Sequence, residues 1–402
     1  VGKAALASVG GSATQLINLV VGFFTGLSSG ASVVIAQFFG AKDERSVKES
    51  LHTAYAFSIL GSIVISALGI GLAPQLLRWM NTPEELLADS TLYLRIYFAG
   101  ILFVFIFNVG SSILRAVGDS KNPLYYLIAC CFINIFLDLL FVIVFHLGVA
   151  GVAYATFLSQ AISALLVTHK LMTSHSILTL KIRDIRLHKN VLKSQLWIGL
   201  PAGFQSVMYS ISNVIIQAAL NRFGTDTVAA WSAYGKLDAI FWMVSGAIGI
   251  SITTFVGQNY GARKYDRVHK SVRICLGIDS IISVILIVFL MLFRVPLFRL
   301  FTQDPSVIRI GSDMLALITP CYIFFVFIEV LAGALRGMGD VMIPTLITLL
   351  GVCVLRLIWI AVVLQISPTV NAIIYSYPVT WIATAVLFII YYLHKKKRIL
   401  KA

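Results

Sequence analysis

Residues 124–146 read LYYLIACCFINIFLDLLFVIVFH, a nearly unbroken apolar run that contains one carboxylate. About 20 residues of α-helix, rising 1.5 Å each, cross the roughly 30 Å hydrocarbon layer of a bilayer. Strands of a membrane β-barrel would instead alternate apolar and polar residues over short segments. The run therefore predicts a transmembrane helix.

The remainder of the 402-residue chain repeats this pattern. Hydrophobic residues make up 59% of it, charged residues make up 12%, and the mean hydropathy is +0.92. Soluble domains carry roughly a quarter charged residues, so a soluble globular protein is excluded. The predicted fold class is an all-α polytopic membrane protein with spans at residues 13–38, 53–73, 93–113, 124–146, 149–168, 195–220, 228–257, 272–293, 310–334, 342–365 and 371–393.

The positive charges orient these spans. Of the 31 lysines and arginines, twenty-two fall on one set of alternating connections and the C-terminal tail, seven fall on the opposite connections, and Lys236 and Arg356 lie inside spans. Connections rich in lysine and arginine face the cytoplasm, which predicts a multi-pass protein of the plasma or inner membrane with its C-terminus inside. Because topology accounts for the net charge of +14, nucleic acid is not an expected partner.

An internal repeat divides the chain into two halves. A shift of 221 residues superimposes ten identical residues, clustered in two connections. The second copy has six spans and the first has five, so we expect two pseudo-symmetric six-helix lobes, with twelve helices at full length, eleven present here and the first one missing from this chain. The predicted organisation is an N-terminal lobe at 1–168, a cytoplasmic inter-lobe loop at 169–193, a C-terminal lobe at 194–394 and a basic cytoplasmic tail at 395–402.

One repeated connection has the pattern Leu-Arg-x-x-Gly-Asp, at 114–119 and again at 335–340. A basic residue favours a helix C-terminus, glycine permits the turn, and aspartate followed by proline suits the start of the next helix. The pattern therefore predicts two structural turns rather than two chemical sites.

Motifs of known enzymes are weak here. Residues 26–30 match the G-x-S-x-G pattern of hydrolase nucleophiles, but that motif needs a preceding strand, and this one lies in an apolar helix. Gly22, Gly26 and Gly30 recur every four residues and predict a close helix–helix contact instead. No Walker A pattern for nucleotide phosphates occurs. The protein is not predicted to be an enzyme.

Asp138 is the strongest candidate for a functional residue, because an ionisable group inside the hydrocarbon layer is costly. Asn134 lies one helical turn before it, and the next span runs back so that Thr156 reaches a similar depth. A carboxylate, an amide and a hydroxyl at one level can bind a hard cation such as sodium, or hold a proton on a buried carboxyl group. The alternative is a hydrogen-bonded contact between two helices.

Further charged residues inside spans are weaker candidates. Glu329 is a second candidate acid, and pairing with an arginine of the following loop is the alternative. Lys236 and Asp238 are two residues apart and point to different faces of one helix, so at least one is expected to line an interior substrate cavity. Arg356 is a lone base that needs an acid or a water-filled space.

Polar residues also recur at helical spacing in the span after the central loop. Gln205, Tyr209 and Asn213 lie four residues apart on one face. This spacing predicts either the wall of a wet substrate cavity or a hydrogen-bonded seam between two helices.

Taken together, these motifs resemble the multidrug and toxic compound extrusion (MATE) family. The similarity covers essentially the whole chain. It rests on Gly-Gln-Asn-Tyr-Gly-Ala at 257–262, the twin Leu-Arg-x-x-Gly-Asp motifs, Gly-Leu-Pro at 199–201, and Asn134-x-x-x-Asp138 followed by Gly-Val-Ala-Gly-Val-Ala. The resemblance implies that Asn134, Asp138 and Thr156 match the family's N-lobe cation site, and that Glu329 lies on a helix where some members carry another acid.

The resemblance also implies a function: secondary active multidrug efflux by alternating access. The implied substrates are mostly cationic, aromatic organic compounds, and the implied coupling ion is sodium, bound by Asn134, Asp138 and Thr156, or a proton. No other cofactor is expected, and the protein is expected to act as a monomer in the lipid bilayer. Two alternatives are a flippase for lipid-linked oligosaccharides, which would need a cationic cavity, and a membrane-embedded enzyme, which would need a catalytic constellation near one membrane boundary.

Overall fold

The computed structural model describes residues 8–174 and 177–399, and within those ranges the chain is helical and forms no β-strand. The predicted all-α polytopic class is therefore confirmed. Residues 1–7, 175–176 and 400–402 lie outside the described residues. They include the start of the predicted N-terminal lobe, part of the predicted loop at 169–193 and the end of the predicted tail at 395–402.

The first half of the chain forms long helices joined by short connections. A π-helical stretch, Leu140–Val144, continues the fifth helix, and a 3₁₀ turn, Ile182–Asp184, precedes the seventh. The helices are α1 (Ser12–Gly40), α2 (Glu44–Trp79), α3 (Glu84–Ala99), α4 (Ile101–Ala116), α5 (Lys121–Leu139), α6 (Gly148–Thr173) and α7 (Lys189–Asn221).

The second half follows the same plan. A 3₁₀ turn, Thr319–Cys321, contains Pro320, which has no backbone N–H for a continuous helix, and a π-helical stretch spans Leu349–Val354. The helices are α8 (Thr225–Gly261), α9 (Tyr265–Leu292), α10 (Arg294–Arg299), α11 (Pro305–Ile318), α12 (Tyr322–Gly337), α13 (Met342–Thr348), α14 (Leu355–Ile366), α15 (Val370–Ile374) and α16 (Ser376–Ile399).

Contacts group the chain into two compact units, Val1–Phe204 and Gln205–Ala402. The core of the first unit includes the fully buried side chains of Leu51 and Leu94, and that of the second includes Phe241 and Trp381. These units are clusters of contacts, and the lobe boundaries at 168 and 194 stay a prediction.

Every predicted span lies on one helix or on two consecutive helices separated by a short break. The helices differ in how apolar they are. Among the described residues, nine helices are long and apolar enough to cross a membrane, and α3 with α4, bent by 47°, makes a tenth span if the pair is counted as one. The predicted span 195–220 coincides with α7, which has 33 residues but is not among them. The polar side chains along α7 explain this, so length and apolarity alone do not reproduce the predicted count of eleven.

The glycines of α1 allow close helix packing. A Cβ atom on Gly26 would lie 2.6 Å from the carbonyl carbon of Ala202, and one on Gly30 would lie 2.6 Å from the backbone nitrogen of Gly199. Both glycines lie in the interior of α1, with no strand before them. At these two positions the prediction of a close helix contact is correct, and the G-x-S-x-G pattern lacks the local structure of a hydrolase nucleophile.

The internal repeat extends to backbone conformation. Lys42 and Arg263, which are 221 residues apart but not identical, both have positive φ angles, 60° and 57°. Each follows a helix end that is closed in the same way, since Ala41 N donates to Gln37 O at 2.9 Å and Ala262 N donates to Gln258 O at 3.0 Å. The repeated sequence therefore encodes a repeated turn.

The Leu-Arg-x-x-Gly-Asp motifs form a second pair of matching turns. Gly118 and Gly339 have φ angles of +95° and +80°. The aspartate N–H donates to the leucine carbonyl five residues earlier, at 3.0 Å in both copies. This pattern closes a helix C-terminus around a left-handed glycine. In the second copy the Asp340 carboxylate also accepts from Tyr391 Oη at 2.7 Å and pairs with Lys395 Nζ at 2.8 Å.

Replacing the left-handed glycine is expected to destabilise the protein. Gly339→Ala should cost about 1–2 kcal/mol, because a Cβ atom is disfavoured at positive φ. Gly339→Asn should cost less, since asparagine tolerates this conformation. Thermal unfolding in detergent measures the change, at about 2–4 °C per kcal/mol for a unit of this size.

Gly277 is the matched control for this substitution. It lies inside α9, and an added Cβ would meet nothing within 4 Å. Gly277→Ala is therefore expected to leave the melting temperature unchanged or to raise it, because alanine is the better helix former. Equal melting temperatures for Gly339→Ala and the parent would contradict the role assigned to this turn.

Candidate functional site

The polar residues predicted in the N-terminal unit lie on two helices that pack together. Asn134 and Asp138 lie on α5, Thr156 lies on α6, and all three are partly buried. The π-helical stretch Leu140–Val144 begins two residues after Asp138. Because π-helical turns often occur at functional sites, this local irregularity favours a role for the end of α5.

Two polar side-chain atoms of this group have no hydrogen-bond partner among the described residues. Asn134 Nδ2 and Asp138 Oδ1 are buried and make no hydrogen bond within the part of the chain that the structure describes. The Thr156 hydroxyl donates to the backbone oxygen of Val152 at 3.0 Å, which leaves its own lone pairs available. A buried carboxylate oxygen without a donor is costly, so this arrangement suits a proton or a bound cation.

Tyr93, on α3, is a further residue with an electrostatic influence on this site, and it was not predicted from the sequence. It is 7% exposed and interacts electrostatically with Asp138. No lysine or arginine pairs with Asp138 within 4 Å among the described residues. The carboxylate is thus not locked into a permanent ion pair. Only the packing of α3 against α6 brings Tyr93 close, and no motif in the sequence marks it.

The C-terminal unit contains a cavity of about 520 Å³, within the usual range for small-molecule sites. Three ionisable side chains line it: Asp238, Glu329 and Arg356. The wall is otherwise rich in aromatic side chains, namely Tyr209, Trp231, Tyr234, Trp242, Phe325, Tyr377 and Trp381.

The predicted cavity residues divide into two groups. Tyr209, Asn213 and Asp238 line the cavity. Gln205 is not in its wall, but its side chain forms a hydrogen bond with the Tyr209 side chain. Lys236 does not line the cavity: it is exposed, and its Nζ lies 5.6 Å from the centre of the Phe301 ring. A separation of two residues turns Lys236 away from the face of α8 that carries Asp238.

Donors surround the Asp238 carboxylate. Its Oδ1 accepts from Tyr322 Oη at 2.5 Å and from Tyr234 Oη at 3.2 Å, and its Oδ2 accepts from Trp242 Nε1 at 2.6 Å. Tyr234 and Trp242 lie four residues before and after Asp238, on the same face of α8. This network holds the carboxylate in one orientation at the cavity wall.

Glu329 lies on α12 opposite a glycine of α8. A Cβ atom on Gly249 would overlap the Glu329 carboxylate, so only glycine leaves room for this side chain. Glu329 interacts electrostatically with Arg336, but the two do not form an ion pair within 4 Å in the described ranges. The second acid therefore lines the cavity rather than being tied to the adjacent loop.

Arg356, the second residue of α14, supplies the cavity's positive charge. Its side chain is buried, and the guanidinium lies 4.0 Å from the centre of the Tyr377 ring. One terminal nitrogen donates to Thr380 Oγ1 at 3.2 Å, and Nε has no acceptor among the described residues. Arg356 lines the cavity, and that this space is filled with water stays a prediction.

Comparisons with known proteins agree with this architecture. The MatE family profile matches residues 1–140 and 201–362. Two probable multidrug resistance proteins of Bacillus subtilis (strain 168) are similar. YpnP is 32% identical over 361 residues, covering 88% of this chain and 79% of the relative, and YoeA is 29% identical over 344 residues, covering 84% and 74%.

A solved structure has the same fold. It is described as the outward-facing conformation of a multidrug resistance MATE family transporter of the MOP superfamily. It aligns with a TM-score of 0.94 at 21% identity, covering 100% of this chain and 90% of that one. With the profile matched over most of its length, this chain belongs to the MATE family and is a multi-pass membrane protein.

Proposed function

We propose that this protein is a secondary active multidrug efflux transporter, which exchanges organic, mostly cationic and aromatic compounds for sodium ions or protons by alternating access. Family membership supports this proposal, since members are transporters rather than enzymes and the relatives above are named multidrug resistance proteins. Its place is the plasma or inner membrane, with a cytoplasmic C-terminus, and it acts as a monomer.

The observation that carries the proposal is that Asp138 Oδ1 and, one helical turn before it, Asn134 Nδ2 are buried without a hydrogen-bond partner in the part of the chain that the structure describes. A cation or a proton at Asp138, with the Thr156 hydroxyl oxygen on the neighbouring helix, compensates the cost of the buried carboxylate. A ligand shifts the equilibrium between two conformations only if it binds one of them more tightly than the other. Exchange therefore follows if the coupling ion binds one conformation of the protein more tightly and the exported compound binds the other.

The aromatic cavity of the C-terminal unit is the proposed binding site for the exported compound. Aromatic faces and two carboxylates, Asp238 and Glu329, attract an aromatic cation through cation–π and charge interactions. An oligosaccharide flippase would need a cationic cavity, whereas this one has two acids and a single arginine. The efflux function therefore fits the wall of the cavity better.

Transport in proteoliposomes tests the proposal. The purified protein is reconstituted, sodium and proton gradients are imposed separately, and movement of the fluorescent cation rhodamine 123 is followed. We expect movement against the dye gradient with at least one of the two ions, and the effective gradient identifies the coupling ion. Movement that depends on neither gradient would refute secondary active exchange.

A further inference from the structure

Arg356 is charged and buried, and no counterion pairs with it among the described residues. It is 2% exposed, and its contacts are the Tyr377 ring and the Thr380 hydroxyl. In the described ranges no carboxylate pairs with it within 4 Å. Because a guanidinium stays protonated in proteins, this side chain carries its positive charge into the cavity wall.

Such an environment is unusual for arginine. Buried charges are normally paired with an opposite charge, because leaving water is costly and neutral groups compensate it only in part. The Tyr377 ring covers one face of the guanidinium, and one terminal nitrogen donates to the Thr380 hydroxyl. Among the described residues, Nε has no acceptor. Arg356 lines the cavity, and its planar guanidinium carries N–H donors in the geometry that matches a carboxylate or a phosphate.

The acids of the same cavity do not fill this role. Tyr322, Tyr234 and Trp242 donate to both oxygens of Asp238, and in the described ranges Glu329 forms no ion pair with Arg356 within 4 Å. The cavity therefore has two carboxylates and one guanidinium that are not paired with each other, in a wall rich in aromatic side chains.

We propose that Arg356 binds an acidic oxygen group of the substrate, a carboxylate or a phosphate attached to an aromatic ring, so that the cavity prefers zwitterionic aromatic compounds to purely cationic ones. Arg356 is then a residue that determines specificity. The proposal deepens the efflux function above and rests on it for transport, but the binding itself requires no ion gradient.

Two dyes with one skeleton test this preference. Rhodamine 110 carries a free carboxylate, and rhodamine 123 is its methyl ester. Fluorescence anisotropy of each dye is titrated with the purified protein in detergent, with protein-free micelles as the blank. We expect rhodamine 110 to bind about tenfold more tightly, as one charge-assisted contact predicts. Equal affinities for the two dyes would overturn the proposal.

Variants assign the preference to Arg356. Arg356→Gln should weaken rhodamine 110 binding about tenfold and leave rhodamine 123 binding within about twofold, whereas Arg356→Lys should retain part of the preference. A loss that is equal for both dyes, in a variant with the parent's melting temperature, would show that Arg356 has only a structural role.

Competition on the unmodified protein keeps the test independent of variant folding. Benzoate and phenyl phosphate should displace rhodamine 110, and whichever is the stronger identifies the acidic group. Benzamide, which is uncharged and similar in shape to benzoate, should not displace it. If benzamide competes as well as both anions, the proposal fails. Loss of ion-driven transport with the dye preference intact would refute the efflux function alone.

Discussion

Asp138→Asn is expected to abolish ion-driven export while leaving the protein folded. The amide has nearly the shape of the carboxylate but neither takes up a proton nor carries the charge that attracts a cation. Since Asp138 Oδ1 has no hydrogen-bond partner among the described residues, the substitution removes no contact from that atom. We expect gradient-driven rhodamine 123 transport in proteoliposomes to fall by about tenfold or more, because each 1.4 kcal/mol of lost ion binding is a factor of ten.

Asp313→Asn is the matched control. Asp313 is an exposed acid on α11, so the same chemical change there should leave transport within about twofold of the parent. Dye binding in detergent should also survive in Asp138→Asn, because the proposed binding cavity lies in the C-terminal unit. If Asp138→Asn still exports with the parent's ion dependence, Asp138 is not the coupling residue.

Much of the fold could be predicted because the deciding information is local. An apolar run of about 20 residues predicts a membrane helix wherever it occurs. The pattern of Arg336, Gly339 and Asp340 predicts a helix end and a turn from neighbouring residues alone. The bend at Gly100 could not be predicted, because it depends on tertiary packing: a Cβ on this glycine would lie 2.7 Å from the Phe157 ring, on α6.

The candidate sites divide in the same way. Asn134, Asp138 and Thr156 lie on one helical hairpin, so counting residues from the turn gave their depth. Tyr93 approaches Asp138 from another helix, and no count along the chain predicts this. Around Asp238, Tyr234 and Trp242 lie four residues before and after it on one helix face, but neither was predicted as a site residue.

Tyr322, by contrast, is 84 residues away from Asp238 in the chain. Its hydrogen bond depends on how α12 packs against α8, which is a property of the whole unit. Arg356 is a similar case. The sequence indicates a lone basic residue inside a span, but it does not predict that the guanidinium lies over the Tyr377 ring.

Asp238→Ala is expected to destabilise the protein by about 3 kcal/mol. The substitution removes the acceptor of three hydrogen bonds, each worth about 1.5–3 kcal/mol when the acceptor is charged, but the relieved cost of burying the carboxylate and the remaining bond between Tyr234 and Tyr322 offset part of this loss. Tyr322 is fully buried and Tyr234 is 2% exposed, and their hydroxyls lie 3.3 Å apart and can still bond to each other. The expected fall in melting temperature is about 6–12 °C, measured by circular dichroism in detergent.

Asp238→Asn separates the hydrogen bonds from the charge. The amide oxygen can accept from Trp242 Nε1 while the amide nitrogen donates to the Tyr322 hydroxyl oxygen, which then donates to Tyr234. This variant should therefore lose less than about 1 kcal/mol of stability, so that the larger loss in Asp238→Ala measures the orphaned donors. An alanine variant as stable as the asparagine variant would mean that the stability of the protein does not depend on the hydrogen bonds that these three donors make to Asp238.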